Sequence, residues 1–367
     1  MAAERATPAA VVDVGWVNGL AAVRSLGRAG VRVFGVDHRP SALGFRSRYA
    51  EQVLVPDVAE DEERFVAAVR GLAERAGGRL VVVPTHDPVL NALARSPDDS
   101  LLAPYPSWEV LEAVQSKREQ LERAAAAGVA VPATRHPRSV DEARAAVEEV
   151  GLPALVKPSD HVGFKRRFRR QAFRCDTAAD VEDAYARAEE FEPMIQELVP
   201  GGDDALYTVG SYLARDGRAL AVFCGRKLLQ TPTVIGTCRI GEAVWVEEAV
   251  DAALRLLRAF DFHGISQVEF KRDPRDGRFK LMEINPRLWQ WHGLAAACGV
   301  DVTRIAYDDL VGASPGEAGM NGSGKRWAIT LMRGERPAVP RLPYVDAVWA
   351  LDDPKPALVH LARVVRS

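Results

Sequence analysis

Between Phe262 and Trp289 the chain reads FHGISQVEFKRDPRDGRFKLMEINPRLW. Two alternating runs flank Asp273-Pro274-Arg275-Asp276-Gly277, residue types that set turn geometry, so an antiparallel strand pair is predicted. With the turn centred on Asp276, Glu269 falls opposite Glu283 and Gln267 opposite Asn285. These four share one face because side chains alternate along a strand, and Val268, Phe270, Met282 and Ile284 take the other face. A slip of one residue would destroy both arrangements. Two facing carboxylates repel unless positive charge lies near them. Either this is a solvated face with Lys271 and Arg278 as counter-charges, or it holds a hard divalent cation. Oxygen donors without His or Cys suit Mg²⁺, which keeps waters and shares phosphate oxygens. Arg287, just beyond Pro286, is a cation that could face a developing negative charge.

Elements that would position this hairpin can be read in order. Ala10–Val14, Val31–Val36 and Leu80–Val83 are short apolar runs, each ending in polar residues. They alternate with helical patterns at Asn18–Ala29 and Glu62–Leu72, which implies a right-handed parallel sheet with ligands at the carboxyl ends of its strands. Those ends carry Gly15-Trp16, Asp37-His38 and Thr85-His86-Asp87, and His86 and Asp87 either line a substrate cleft or form a satisfied loop pair. DVGWVNG does not fit the spacing of a dinucleotide-binding glycine loop. Ser116 with Glu119 three residues on caps a helix that stops at Gly128. Val140–Val150 and Asp180–Glu190 are further helices. In the run Pro153-Ala-Leu-Val-Lys-Pro158, Lys157 ends a strand where its charge would be costly without an anion partner. Met194–Val199, Leu206–Ala214 and Leu220–Gly225 read as strands, and Val244–Phe260 as an amphipathic helix. Gly312–Lys325 has linker composition.

MEINPR, preceded by VEF at this spacing, resembles the metal-binding end of the ATP-grasp superfamily, in its carboxylate–amine ligase-like branch. The resemblance implies an α/β chain: a Rossmann-like parallel-sheet domain (residues 1–115), then a two-subdomain ATP-grasp fold (116–312, divided into a lid subdomain 116–195 and a metal-binding subdomain 196–312). A C-terminal extension (313–367) would pack on the body. Carried over position by position, Glu269, Glu283 and Asn285 are metal ligands, and Arg287 steadies the acyl phosphate or tetrahedral intermediate. Lys117 and Lys157 hold nucleotide phosphates. Glu197, Leu198 and Val199 offer the adenine contacts of a hinge, with Asp204 on the ribose. Lys165, Arg166, Arg167, Arg169 and Arg170 stand in the loop where many relatives carry a glycine-rich phosphate lid. Guanidinium charge would there replace backbone N–H groups, or the segment is simply an exposed basic strand. Arg226, Lys227 and Arg239 would bind an acceptor carboxylate or the γ-phosphate, or are ordinary surface charge. Trp289 and His292, with Trp291, would wall a substrate pocket or pack in the core.

The implied activity is ATP-dependent amide-bond formation through an acyl phosphate, with release of ADP and phosphate. The cofactors are ATP and Mg²⁺, with Mn²⁺ as a substitute, and the substrates a small carboxylate and an amine, amino acids among them. A phosphotransferase that stops at phosphorylation, or a non-catalytic nucleotide-binding regulator, is the alternative. A homodimer is the expected assembly by resemblance. The 367 residues exceed one usual domain, and 47% hydrophobic with 27% charged content is ordinary for a globular chain. Net charge of -2 gives no global pull toward nucleic acid or acidic membrane, although Phe164 and Phe168 interleave the basic loop as an RNA contact would. The four cysteines are scattered and suggest neither a disulfide framework nor zinc. MAAERATPAA lacks an apolar leader core and no run is long enough to span a bilayer, so a cytoplasmic location is expected.

Overall fold

Valine-rich runs of four or five residues, buried along their whole length, are what a sheet covered on both faces requires. A computed structural model describes residues 7–158, 161–232, 236–320 and 324–365. Ser159 and Asp160 of the basic segment, 233–235 before Gly236, and 321–323 of the Gly/Ser-rich stretch lie outside the described residues. The N-terminal part of the chain forms a parallel sheet of β1 (Ala9–Val12), β2 (Val33–Asp37), β3 (Ala50–Leu54), β4 (Leu80–Pro84) and β5 (Leu101–Leu102), in the order β3-β2-β1-β4-β5. Its helices are α1 (Val17–Arg28), α2 (Glu62–Arg75), α3 (Asp87–Arg95) and α4 (Trp108–Gln115). Strand β3 was not anticipated, because its residues AEQVL are half-buried or exposed along an edge and show no apolar run.

A second sheet is antiparallel and small. Here α5 (Lys117–Ala126), β6 (Thr134–Arg135), α6 (Val140–Val150), β7 (Ala154–Lys157), α7 (His161–Phe168), β8 (Phe173–Cys175), α8 (Ala178–Ala188) and β9 (Met194–Glu197) follow one another, with strand order β6-β9-β7-β8. Ser116 Oγ accepts from the Glu119 N–H at 3.4 Å, the cap that starts α5 and sets Lys117 at its first position. The basic segment, expected as a loop or strand, is instead the helix α7. Phe164 and Phe168, one turn apart, pack their rings with each other and with Phe173 and Phe191 at centroid distances of 4.8 to 5.9 Å. That aromatic seat leaves Lys165, Arg166, Arg169 and Arg170 exposed, while Arg167 pairs with Glu190.

The third sheet has seven strands: β10 (Leu206–Leu213), β11 (Ala219–Thr231), β12 (Thr237–Ala243), β13 (Gly264–Arg272), β14 (Phe279–Asn285), β15 (Arg326–Ala328) and β16 (Tyr344–Asp346), ordered β14-β13-β10-β11-β12-β15-β16. Helix α9 (Glu247–Ala259) covers one face with Val250, Leu256 and Leu257, and Phe260 just beyond it joins the same cluster. On the other face Trp289 and Trp291 lie over three mid-strand glycines. A Cβ at Gly210 would stand 2.0 Å from the Trp289 ring, and at Gly225 and Gly241 2.9 and 2.5 Å from Trp291. Glycine inside a strand marks such a close approach. The chain closes with α10 (His292–Ala297), α11 (Val302–Leu310) and α12 (Lys355–Val365). Asp353, just before α12, is buried and accepts from Arg24 Nε at 2.9 Å, Ser47 Oγ at 2.8 Å and the Arg48 N–H at 2.9 Å. The last segment thus pairs with the seven-stranded sheet through β15 and is pinned to the parallel sheet through Asp353. Among the described residues no helix is long and apolar enough to cross a membrane, and all four cysteines are buried.

Candidate active site

Strands β13 and β14 pair with Gln267 opposite Asn285, Val268 opposite Ile284 and Glu269 opposite Glu283. Just beyond, a β-bulge between Glu269 and Phe270 shifts the register so that Phe270 meets Leu281. Met282, expected on the apolar face, therefore turns to the cleft beside Glu283, and Leu281 takes its place in the core at 1% exposure.

The carboxylates do not stand alone. Lys117 Nζ donates to Glu283 Oε2 at 3.1 Å, and Lys227 Nζ lies 2.9 Å from Glu269 Oε1. Thr208 Oγ1 and Gln267 Nε2 each donate to Glu269 Oε1 at 3.2 Å. Asn285 Nδ2 donates to Glu283 Oε1 at 3.0 Å and to Gln267 Oε1 at 3.3 Å, and Arg287 Nη2 donates to Asn285 Oδ1 at 3.3 Å. The two acids are driven apart in titration. The Lys117 ammonium holds Glu283 well below the usual carboxylate range, whereas burial and the neighbouring Glu283 carboxylate push Glu269 up against the pull of Lys227. A proton or a cation is what such a pair requires.

A cleft lies over this pair, between the two antiparallel sheets. Lys157, Gln196 and the hinge residues Glu197, Leu198 and Val199 line its far wall, with Lys271 and Gln230 beside them. Lys157 Nζ donates to Gln196 Oε1 at 3.0 Å, and burial with the nearby Lys117 charge lowers its pKa to about 8. The Glu197 side chain turns away from the cleft interior onto Lys280, Arg275 and the Ala133 N–H, so the hinge offers the cleft backbone rather than carboxylate. Arg287 is anchored from the other side by Asp87, at the start of α3, with Nε to Oδ1 at 2.8 Å.

Several expected residues fall elsewhere. Along β11 the side chains alternate, so with Lys227 in the cleft Arg226 must face away, and it does, onto Glu242 at 2.8 Å. Arg239 is buried against the C-terminal segment, bonded to the carbonyls of Ile329 and Arg336 and to Glu335. Trp289 and His292 are 1% and 2% exposed, core residues rather than a pocket wall; His292 Nε2 sits 3.0 Å from the Asn18 carbonyl oxygen. Asp204 is exposed, and its neighbour Asp203 is the acid that turns inward, accepting from the Gln230 N–H at 2.9 Å and Nε2 at 2.8 Å. Thr208, Gln230 and Met282 were not foreseen in the cleft, and Lys271 was expected only as a counter-charge. Thr208 and Lys271 were legible in principle, since β10 pairs Thr208 with Glu269 and Lys271 shares the face of Glu269 two residues away.

The chain is similar to several known proteins. The family model for the carbamoyl-phosphate synthase L chain, ATP binding domain, matches residues 245–309, which include the hairpin. A D-aspartate ligase of Enterococcus faecium is 25% identical over 169 residues, 44% of this chain and 40% of that protein. The carbamoyl phosphate synthase large chain of Methanothermobacter thermautotrophicus is 29% identical over 198 residues, 50% of this chain and 18% of that one. The chain thus spans well under half of these relatives. Among solved structures, Campylobacter jejuni biotin carboxylase superposes with a TM-score of 0.70 at 18% identity, over 86% of this chain and 74% of that one. N5-carboxyaminoimidazole ribonucleotide synthetase of Thermus thermophilus gives 0.64 at 18% identity, over 87% and 81%. The chain has the fold of these solved structures, and its likeness to these relatives is a likeness to the ATP-grasp superfamily.

Proposed function

We propose that this ATP-grasp chain is a carboxylate–amine ligase. ATP phosphorylates a small carboxylate, an amine displaces phosphate from the acyl phosphate, and an amide, ADP and phosphate leave. The observation that carries the reading is the Glu269/Glu283 pair at the cleft floor, bracketed by the Lys117 and Lys227 ammonium groups with Lys157 across from them. Lysines converging on one cleft suit a polyphosphate, and acids facing each other suit the cation that accompanies it.

Each residue then has a task. Lys117 and Lys157 neutralise phosphate oxygens as charge shifts in phosphoryl transfer. Backbone groups of Glu197, Leu198 and Val199 would meet the adenine edge, and Asp203 rather than Asp204 the ribose hydroxyls. Glu269, Glu283 and Asn285 fit Mg²⁺: the donors are all oxygen, and two carboxylates and an amide leave positions for phosphate and water. Such an ion supplies charge neutralisation at the phosphates when bound. Arg287 places its guanidinium, fixed by Asp87 and Asn285, where oxygen charge develops on the acyl group. The D-aspartate ligase relative supports a carboxylate–amine pair as the substrate class.

The reading is tested by following ADP release from Mg-ATP with carboxylates and amines supplied singly and in pairs. ADP that appears with a particular pair, together with the condensed product by mass spectrometry, is the expected result. Turnover on one compound that emerges phosphorylated would replace it with a phosphotransferase.

A further inference from the structure

The carboxyl edge of the parallel sheet holds groups that the scheme above leaves idle. His86 caps α3 and immediately precedes Asp87, the partner of Arg287. Its Nδ1 lies 3.1 Å from Asp13 Oδ2 and 3.0 Å from Thr85 Oγ1. The Thr85 hydroxyl donates its single proton to the Asp13 carbonyl oxygen at 2.6 Å, so toward the imidazole it can only accept. The Asp13 carboxylate also only accepts. Nδ1 therefore carries the ring proton, and Nε2 presents its lone pair. Among the described residues Nε2 has no hydrogen-bond partner, and the His86 side chain is 38% exposed.

The carboxylate that orients this ring is itself held. Asp13 has a φ of 65°, a left-handed conformation that Asp tolerates better than most residues. Its other oxygen accepts from Arg39 Nη2 at 2.7 Å, and Arg39 Nε donates to Asp37 at 3.0 Å. Against burial, His86 and Arg39 keep Asp13 ionised, with a pKa of about 2. The result is an imidazole aimed by a fixed carboxylate, the arrangement that makes histidine a directed base. It sits one residue from the carboxylate that anchors Arg287, whereas Glu269, Glu283 and Asp87 are each committed to a cation.

We propose that His86, oriented by Asp13 and Thr85, is the general base of the second half-reaction; this rests on the ligase reading above. The amine nitrogen forms the C–N bond to the acyl carbon, the C–O bond to phosphate breaks with its electron pair leaving on phosphate, and the amine proton passes to His86 Nε2. Asp13 stabilises the imidazolium until it returns the proton to solvent.

The experiment separates the half-reactions. Hydroxylamine, unprotonated near neutral pH, captures an acyl phosphate as a hydroxamate without help from a base. With the carboxylate found by the ADP assay, hydroxamate and amide formation are measured for wild type, His86→Asn and Asp13→Asn. Removal of a general base is expected to lower amide formation in His86→Asn about 10²- to 10³-fold while hydroxamate formation changes by less than about threefold. Asp13→Asn is expected to follow the same pattern more weakly. Equal loss of both products would mean that the dyad only braces β1 against β4, and equal retention would mean that it does nothing; either overturns the proposal. Wild-type protein that makes no hydroxamate from any carboxylate would overturn the acyl-phosphate reading itself, and the two failures are told apart by the wild-type lane.

Discussion

Lys157 is a cation that the fold buries before its anion arrives. An unfolded lysine titrates near 10.5, and burial, followed by the Lys117 charge, brings Lys157 to about 8. The sign follows from linkage: below pH 8 the folded protein bears the cost of a buried charge, and that cost is relieved as pH rises from about 8 toward 10.5. Phosphate oxygens beside the amine would restore its high pKa. Binding of Mg-ATP at pH 8 is therefore expected to take up about half a proton at this site. Calorimetry in buffers of different ionisation enthalpy reads that uptake directly, and Lys157→Met should abolish it. At the opposite wall, Glu283→Ala leaves Lys117 without its partner and removes a proposed metal donor. A loss of kcat of about 10²- to 10³-fold with weaker Mg-ATP binding is expected, in the range for removal of one electrostatic stabiliser. Ordinary turnover in that variant would remove Glu283 from the metal site.

At the scale of elements, the hairpin register was legible because one face had to be apolar and the turn chemistry was explicit. The bulge was not, since Leu281 and Met282 are both apolar and either could fill the core. The tryptophans were left between pocket wall and core for a related reason. Trp289 follows the metal strand closely in sequence, yet Gly210, Gly225 and Gly241 on three adjacent strands make a flat bed that only large rings fill. Glycines in mid-strand were the available signal. Gly210→Ala is expected to cost about 1–3 kcal/mol or more by overpacking against Trp289, measurable by denaturant unfolding. The basic segment was legible in charge but not in conformation, because the phenylalanines that turn it into α7 find their partners in Phe173 and Phe191, beyond the local window. Its exposed cations remain the lid contacts to test. Replacing Arg166 and Arg169 with Ala should raise the KM for ATP about 10²-fold or more if each guanidinium meets phosphate, since each charge-assisted bond contributes roughly 1.5–3 kcal/mol. An unchanged KM would leave them as surface charge, with Arg167 already committed to Glu190.

At the scale of the molecule, the site is assembled from sheets that share no strand. Lys157 and the hinge come from the small antiparallel sheet, the carboxylates from the seven-stranded sheet, and Asp87 and His86 from the parallel one. Besides a shared apolar core and the His292–Asn18 contact, two charged links join the parallel and seven-stranded sheets: Arg287 to Asp87 at the cleft, and the C-terminal segment, which adds β15 to β12 and plants Asp353 between Arg24, Ser47 and Arg48. The second link is remote from the chemistry and buried, with Arg24 and Asp353 each at most 5% exposed. Removing one partner of a buried pair strands the other charge, so Asp353→Ala is expected to destabilise the chain by about 3–5 kcal/mol. Replacing Arg24 and Asp353 together should cost less than the sum of the single changes, because neither charge is then left alone. A double-mutant cycle by urea unfolding checks this, with additive losses as the contrary result. The same variants bear on function. A segment that fixes the parallel sheet against the catalytic sheet also fixes Asp87 relative to Arg287, so where Asp353→Ala remains folded, kcat is expected to fall while the affinity for ATP, bound between the other two sheets, stays near that of wild type.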